Sequence, residues 1–147
     1  VNYMDINSLD RFVQAQTLMY PSVLKQMQNG KKTSHWMWFM FPQIIGLGQS
    51  DMAIYYAIES LDEAKAYLQD ETLNYRLNLL MDVLLSLETN NAVEIFGNTD
   101  ARKLWSSMTL FKYADSNNNK YQKIIDKYFE GKLDANTIGI LLHQGSI

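Results

Sequence analysis

The sequence predicts an all-α fold, a compact single-domain bundle of about seven to nine short helices spanning residues 1–147. Three observations predict it. Apolar residues recur at three- and four-residue steps along most of the chain, as one face of a helix requires. Ser, Asp and Asn precede these runs and Gly follows them, the order in which helices are capped. No stretch alternates apolar and polar residues for long enough to make a sheet. Neither an internal repeat nor a linker interrupts the pattern.

Ser8 is a cap for "LDRFVQAQTLMY", with Leu9, Phe12, Val13 and Gln16 on one side. Pro21 suits the first turn of a following helix, "PSVLKQMQN", which Gly30 ends. Thr33 or Ser34 can cap a short buried helix beginning at His35, and Pro42 limits it by forcing Phe41 out of the α region. The two glycines of "QIIGLGQS" predict an irregular loop, after which Ser50 caps "DMAIYYAIE". "SLDEAKAYLQD" carries a capping box, Ser60 with Glu63. In "ETLNYRLNLLMDVLLSLE", Leu73, Leu77, Leu80, Leu84 and Leu87 form an apolar stripe. "NNAVEIFG" reads as a short helix closed by Gly97, and Thr99 as the cap of "DARKLWSSMTLFKYA". "DSNNN" is a loop. "KYQKIIDKYFEG" turns Tyr121, Ile124, Ile125, Tyr128 and Phe129 inward and ends at Gly131; Asp134 caps "ANTIGILLHQ".

Composition narrows the chemistry. The 147 residues are 47% hydrophobic and 12% aromatic with only two Pro, which is the make-up of a packed domain and not of a disordered segment. The net charge of −3 implies no broad basic face, so nucleic acid is not an expected partner. The absence of cysteine removes disulfides, thiol catalysis and thiolate metal sites, and fits a reducing cytoplasm. Two His, His35 and His143, cannot build a multi-histidine metal site, and no calcium-type loop is present, so neither a metal nor a cofactor is expected. No apolar run reaches the roughly 18 residues of a membrane span. The polar N-terminus "VNYMDINSLD" does not read as a signal peptide.

The stretch "GKKTSHWMWFMFPQIIGLGQS", followed by "YAIESLDEAKAYL" and "RKLWSSMTLF", resembles a mostly bacterial family, domain of unknown function 1810, whose members are often labelled calpastatin. The resemblance runs from about Leu9 to Leu142, and its "SHWMWF", "FPQ" and "SSMTLF" blocks are specific. It implies a compact, mainly helical domain and supplies no activity. The calpastatin label does not suit the chain: calpastatin is a disordered inhibitor, and this composition is that of a folded core.

Chemistry-bearing residues gather in the same two blocks. Trp36 and Trp38 read first as core, since large aromatics bury roughly 150–250 Å² each. Two Trp this close cannot easily both point inward with paired N–H groups, so one is a candidate to line a cavity. Lys32, Ser34 and His35 form a polar lip on that apolar element, where free backbone N–H groups and a lysine would suit an anion. Their plainer roles are a solvated charge, a cap and a satisfied histidine. Gln43 sits where the buried element meets the loop and must find partners or face a cavity. Of Tyr55 and Tyr56, one is expected in the core and one at a pocket; Tyr56 is the candidate ligand contact. On the "SSMTLF" helix, Ser107 lies on the apolar side, its plain role being a bond to the carbonyl four residues back. Ser106 and Thr109 share the neighbouring face, with Arg102 or Lys103 near the start. No paired carboxylates and no Ser–His spacing are legible, so His35 is the one candidate acid or base.

The expectation is therefore a domain binding a small anionic metabolite, nucleotide-like or ADP-ribose-like, in one pocket between "SHWMWFMFPQ" and "SSMTLF". Its ligand-binding residues would be Lys32, Ser34, His35, Trp36, Trp38, Gln43, Tyr56, Ser106, Ser107 and Thr109, with hydrolysis as the accompanying chemistry if there is any. The alternative is a protein–protein interaction module that uses exposed aromatic residues of "FPQIIGLG". A domain in which all these residues are packing is a third reading.

Overall fold

The computed structural model describes residues 8–147. The polar residues 1–7, read above as no signal peptide, lie outside them. The described residues form eight helices: α1 Asp10–Gln28, α2 Met37–Met40, α3 Asp51–Tyr55, α4 Leu61–Gln69, α5 Glu71–Ser86, α6 Ala92–Ala114, α7 Lys120–Phe129 and α8 Ala135–His143. The all-α expectation holds. The only strand-like pairing among the described residues is an isolated parallel bridge between Ile44 and Ile58.

Several caps fall where their chemistry requires. Ser50 Oγ accepts from the Ala53 N–H at 3.1 Å and Ser60 Oγ from the Glu63 N–H at 3.2 Å. Glu63 reaches back as a capping box should, but to the N–H of Glu59, at 2.8 Å. Asp70 starts α5 by accepting from the Leu73 N–H at 3.0 Å. Asp134 starts α8 by accepting from the Asn136 N–H at 3.2 Å.

Four boundaries differ from the sequence expectation, the simplest being that the helix after Ser50 stops at Tyr55 and does not run on to Glu59. The two helices expected around Pro21 are one, α1. Pro21 stands on the exposed side, where water can replace the helical hydrogen bond it lacks, while Phe12, Gln16, Val23 and Met27 bury one stripe on both sides of it. The helix expected from His35 begins two residues later, at Met37, and neither Thr33 nor Ser34 caps it. The two helices expected on either side of Gly97 run together as α6, with a kink at Gly97, whose φ of 80° and ψ of 169° only glycine adopts freely.

The core is aromatic-rich. Phe12 and Tyr67 meet edge to face at 5.2 Å, and Tyr67 and Phe111 lie 5.2 Å apart. Trp36, Phe41 and Phe96 form a second group, with ring centroids 6.2–6.4 Å apart. Buried polar groups tie these layers together. Gln16 donates to Phe39 O at 2.7 Å and to Tyr67 Oη at 2.8 Å. Arg11, buried at the start of α1, donates to Tyr55 O and Ala57 O, each at 2.8 Å, and to Ser8 O at 2.6 Å. Those bonds fix the segment between α3 and α4 against α1.

Candidate functional site

The two motifs do meet. Gln43 Nε2 donates to Ser106 Oγ at 2.7 Å across 63 residues of sequence. Ser106 Oγ also lies 3.2 Å from the carbonyls of both Arg102 and Lys103, so it donates to one of them while accepting from Gln43. The pair forms the floor of a cleft of about 250 Å³ lined by Gln43, Leu47, Arg102, Trp105, Ser106, Asp134 and Asn136. The positioning follows from α6. Arg102, Trp105, Ser106 and Thr109 stand at steps of three and four residues and share one helix face.

Two charged residues line the cleft, Asp134 and Arg102. The Arg102 side chain is exposed, and among the described residues no carboxylate pairs with it. Asp134 is buried, and its two oxygens are engaged by the Asn136 N–H and, at 2.7 Å, the Thr137 hydroxyl.

The remaining expected site residues fall into three places. Trp38, Gln43 and Tyr56 converge on a pocket of only about 20 Å³, room for about one water. Tyr56 packs on Phe39 at 5.4 Å and on Phe12 at 5.8 Å, and burial pushes its hydroxyl above the usual tyrosine pKa. Lys32 reaches this cluster indirectly. Its Nζ lies 2.7 Å from Asp100 Oδ2, and Asp100 is shared with Lys103 at 3.4 Å. Lys32 sits 5.2 Å from the centre of the Trp36 ring and Lys103 4.9 Å from that of Trp38. Its charge is therefore already opposed by a carboxylate.

Ser34, His35 and Trp36 are elsewhere. Trp36 is fully buried and its indole N–H donates to Gln26 Oε1 at 2.9 Å. The same oxygen accepts from the Thr33 N–H at 2.8 Å, while the Gln26 amide donates to Ser34 Oγ at 2.8 Å. Ser34 thus closes a turn against α1. His35 is exposed and lines none of the clefts described here. Ser107 is fully buried with no hydrogen-bond partner; the back-bond expected of it is made by its neighbours Ser106 and Thr109. Thr109 accepts from the Asp134 N–H at 3.0 Å and so anchors the start of α8.

Of the residues lining the cleft, only Gln43 and Ser106 belong to the expected ligand contacts; Leu47, Arg102, Trp105, Asp134 and Asn136 were not among them. Trp105 is half-buried, its indole N–H donates to Lys132 O at 2.6 Å, and its ring stacks on Phe129 at 5.7 Å and 20°. Its spacing from Arg102 and Ser106 is the signal that could have found it.

Comparison with known proteins bears on fold and family. No curated protein matches the chain. Among solved structures, the chain is similar to the crystal structure of the conserved hypothetical protein Rv1873 from Mycobacterium tuberculosis, with 43% sequence identity and a TM-score of 0.90 over 94% of this chain and 99% of that one. Residues 6–141 match the family model described as "Protein of unknown function (DUF1810)". The chain belongs to the DUF1810 family.

Proposed function

We propose that this domain binds a small anionic metabolite, nucleotide-like or ADP-ribose-like, in the cleft between the loop after α2 and the face of α6. The observation that carries the reading is the exposed guanidinium of Arg102 on the wall of a cleft whose floor is the Gln43–Ser106 hydrogen bond. A guanidinium presents a planar fork of donors that matches phosphate and carboxylate oxygens. The cleft is polar where the ligand would be charged and carries Leu47 and Trp105 where it would be apolar. Binding is proposed in preference to hydrolysis, because His35 does not line the cleft.

A thermal-shift screen with nucleoside mono- and diphosphates, ADP-ribose and sugar phosphates tests this. A ligand at about 100 times its Kd stabilises by about 2.7 kcal/mol, a rise of several degrees in Tm. Arg102→Gln should abolish that rise and leave the unliganded Tm nearly unchanged, since Arg102 is an exposed residue. Failure of every anion to raise Tm, or an undiminished rise in Arg102→Gln, would overturn the reading.

The second reading, an interaction surface, cannot rest on the aromatic residues of "FPQIIGLG", since Phe41 is fully buried, and a different observation favours it. Helix α3 buries no residue, and Ile45, Met52, Ile54 and Tyr55 are 37–47% exposed on neighbouring stretches. Ile54→Lys separates the readings: it should alter recognition of a protein partner but leave the anion-induced shift intact.

A further inference from the structure

We infer that the bound molecule has two parts, an anionic arm and a flat heteroaromatic ring, and that the ring enters a second cleft on the far side of Arg102 and Trp105. The inference rests on the reading of the first cleft given above. The second cleft has a volume of about 340 Å³, and Arg102 and Trp105 line it as well as the first. Ligand sites of this kind usually fall between about 300 and 1,000 Å³, so neither cleft alone is generous and the two together are ample.

The lining of the second cleft suits a ring. Ala92, Val93 and Ala101 supply apolar surface, and Val93 is 44% exposed there. The amides of Asn90 and Asn98 supply donors and acceptors for the edge of a heterocycle. Phe129 and Trp105 supply aromatic surface. Trp105 is held before any ligand arrives, by its N–H bond to Lys132 O and its stacking on Phe129. Little rotamer freedom is then lost on binding.

Charge selects this cleft over the third one at Trp105. That cleft, of about 590 Å³, is lined by Asp126 and Glu130 as well as Lys127 and Lys132. The second cleft contains no carboxylate, and Arg102 is its one charged lining residue. An anionic arm at Arg102 therefore leads its ring away from the carboxylates of Asp126 and Glu130 and toward Val93 and Asn98.

Calorimetric titration with adenosine 5′-monophosphate, ribose 5-phosphate and adenosine distinguishes the parts. The inference expects the nucleotide to bind at least about tenfold tighter than ribose 5-phosphate, equivalent to about 1.4 kcal/mol. In Val93→Gln/Asn98→Ala that gap should close while ribose 5-phosphate binding stays unchanged. Should the double variant not fold, Asn98→Ala alone carries the comparison. If nucleotide and ribose 5-phosphate bind equally and both depend on Arg102, the ring site is overturned and the anion site survives. A gap that persists in the variants places the ring elsewhere and also overturns the inference. If none of the phosphorylated probes binds, or Arg102→Gln changes none of them, both readings fall together.

Discussion

The carboxamide of Gln43 donates to the hydroxyl of Ser106 at 2.7 Å and joins the loop after α2 to the middle of α6. The bond lies at the bottom of a cleft, so water can reach Ser106 when Gln43 is removed. Gln43→Ala should therefore cost only about 0.5–1.5 kcal/mol, the net worth of one hydrogen bond. The Gln43→Ala/Ser106→Ala double-mutant cycle in urea should return a coupling energy of that order. A coupling near zero would show that the bond does not contribute in solution.

The two tryptophans of "WMWF" should respond unequally. Trp36 is fully buried with its N–H paired to Gln26, so Trp36→Ala should cost about 3–5 kcal/mol. Trp38 is half-buried with Lys103 over its ring, and Trp38→Ala should cost less than half as much. Equal losses in chemical denaturation would contradict this division.

Stability should fall in alkali. Burial raises the pKa of Tyr67 and Tyr121, and pushes that of Tyr128 up to about 12, against an ordinary value of 10.0. These groups are neutral in the folded chain and ionise more readily once unfolded. Their contribution is complete below pH 10 and is lost as pH rises through 10 toward 12 and beyond. Urea midpoints should be level up to about pH 9 and decline above it. Tyr128→Phe should make the decline shallower, and an unchanged slope would exclude Tyr128 as a cause.

Much of the fold could be read from caps and periodicity. Ser50, Ser60 and Asp134 cap helices because each offers a short side-chain oxygen at the end of an apolar repeat. Pro21 misled because its local rule is outweighed by the buried stripe on both sides of it. Polar satisfaction brought Gln43 to Ser106, since both are polar groups at the edge of buried runs. The fate of Lys32 was not legible, because Asp100 is distant in sequence and nothing local marks it as a partner. Trp105 shares the helix face of Arg102 and Ser106, but a large half-buried aromatic beside an apolar stripe reads first as packing. His35 stands beside the buried Trp36 in sequence, yet the turn closed by Gln26 leaves it in solvent.

The single parallel bridge near the site also has a consequence for how the loops breathe. The Ile45 N–H donates to Ile58 O and the Ile58 N–H to Gln43 O, each at 2.8 Å. Arg11 clasps the carbonyl of Ala57 next door, and Ile44 and Ile58 are fully enclosed. Opening either amide requires α1, the Gln43 loop and the start of α4 to separate together. In deuterium exchange these two loop amides should persist as long as the central amides of α5, an exchange that tracks global unfolding. The loops flanking the cleft would then form one cooperative unit with the helices, and a ligand would meet walls already set in place.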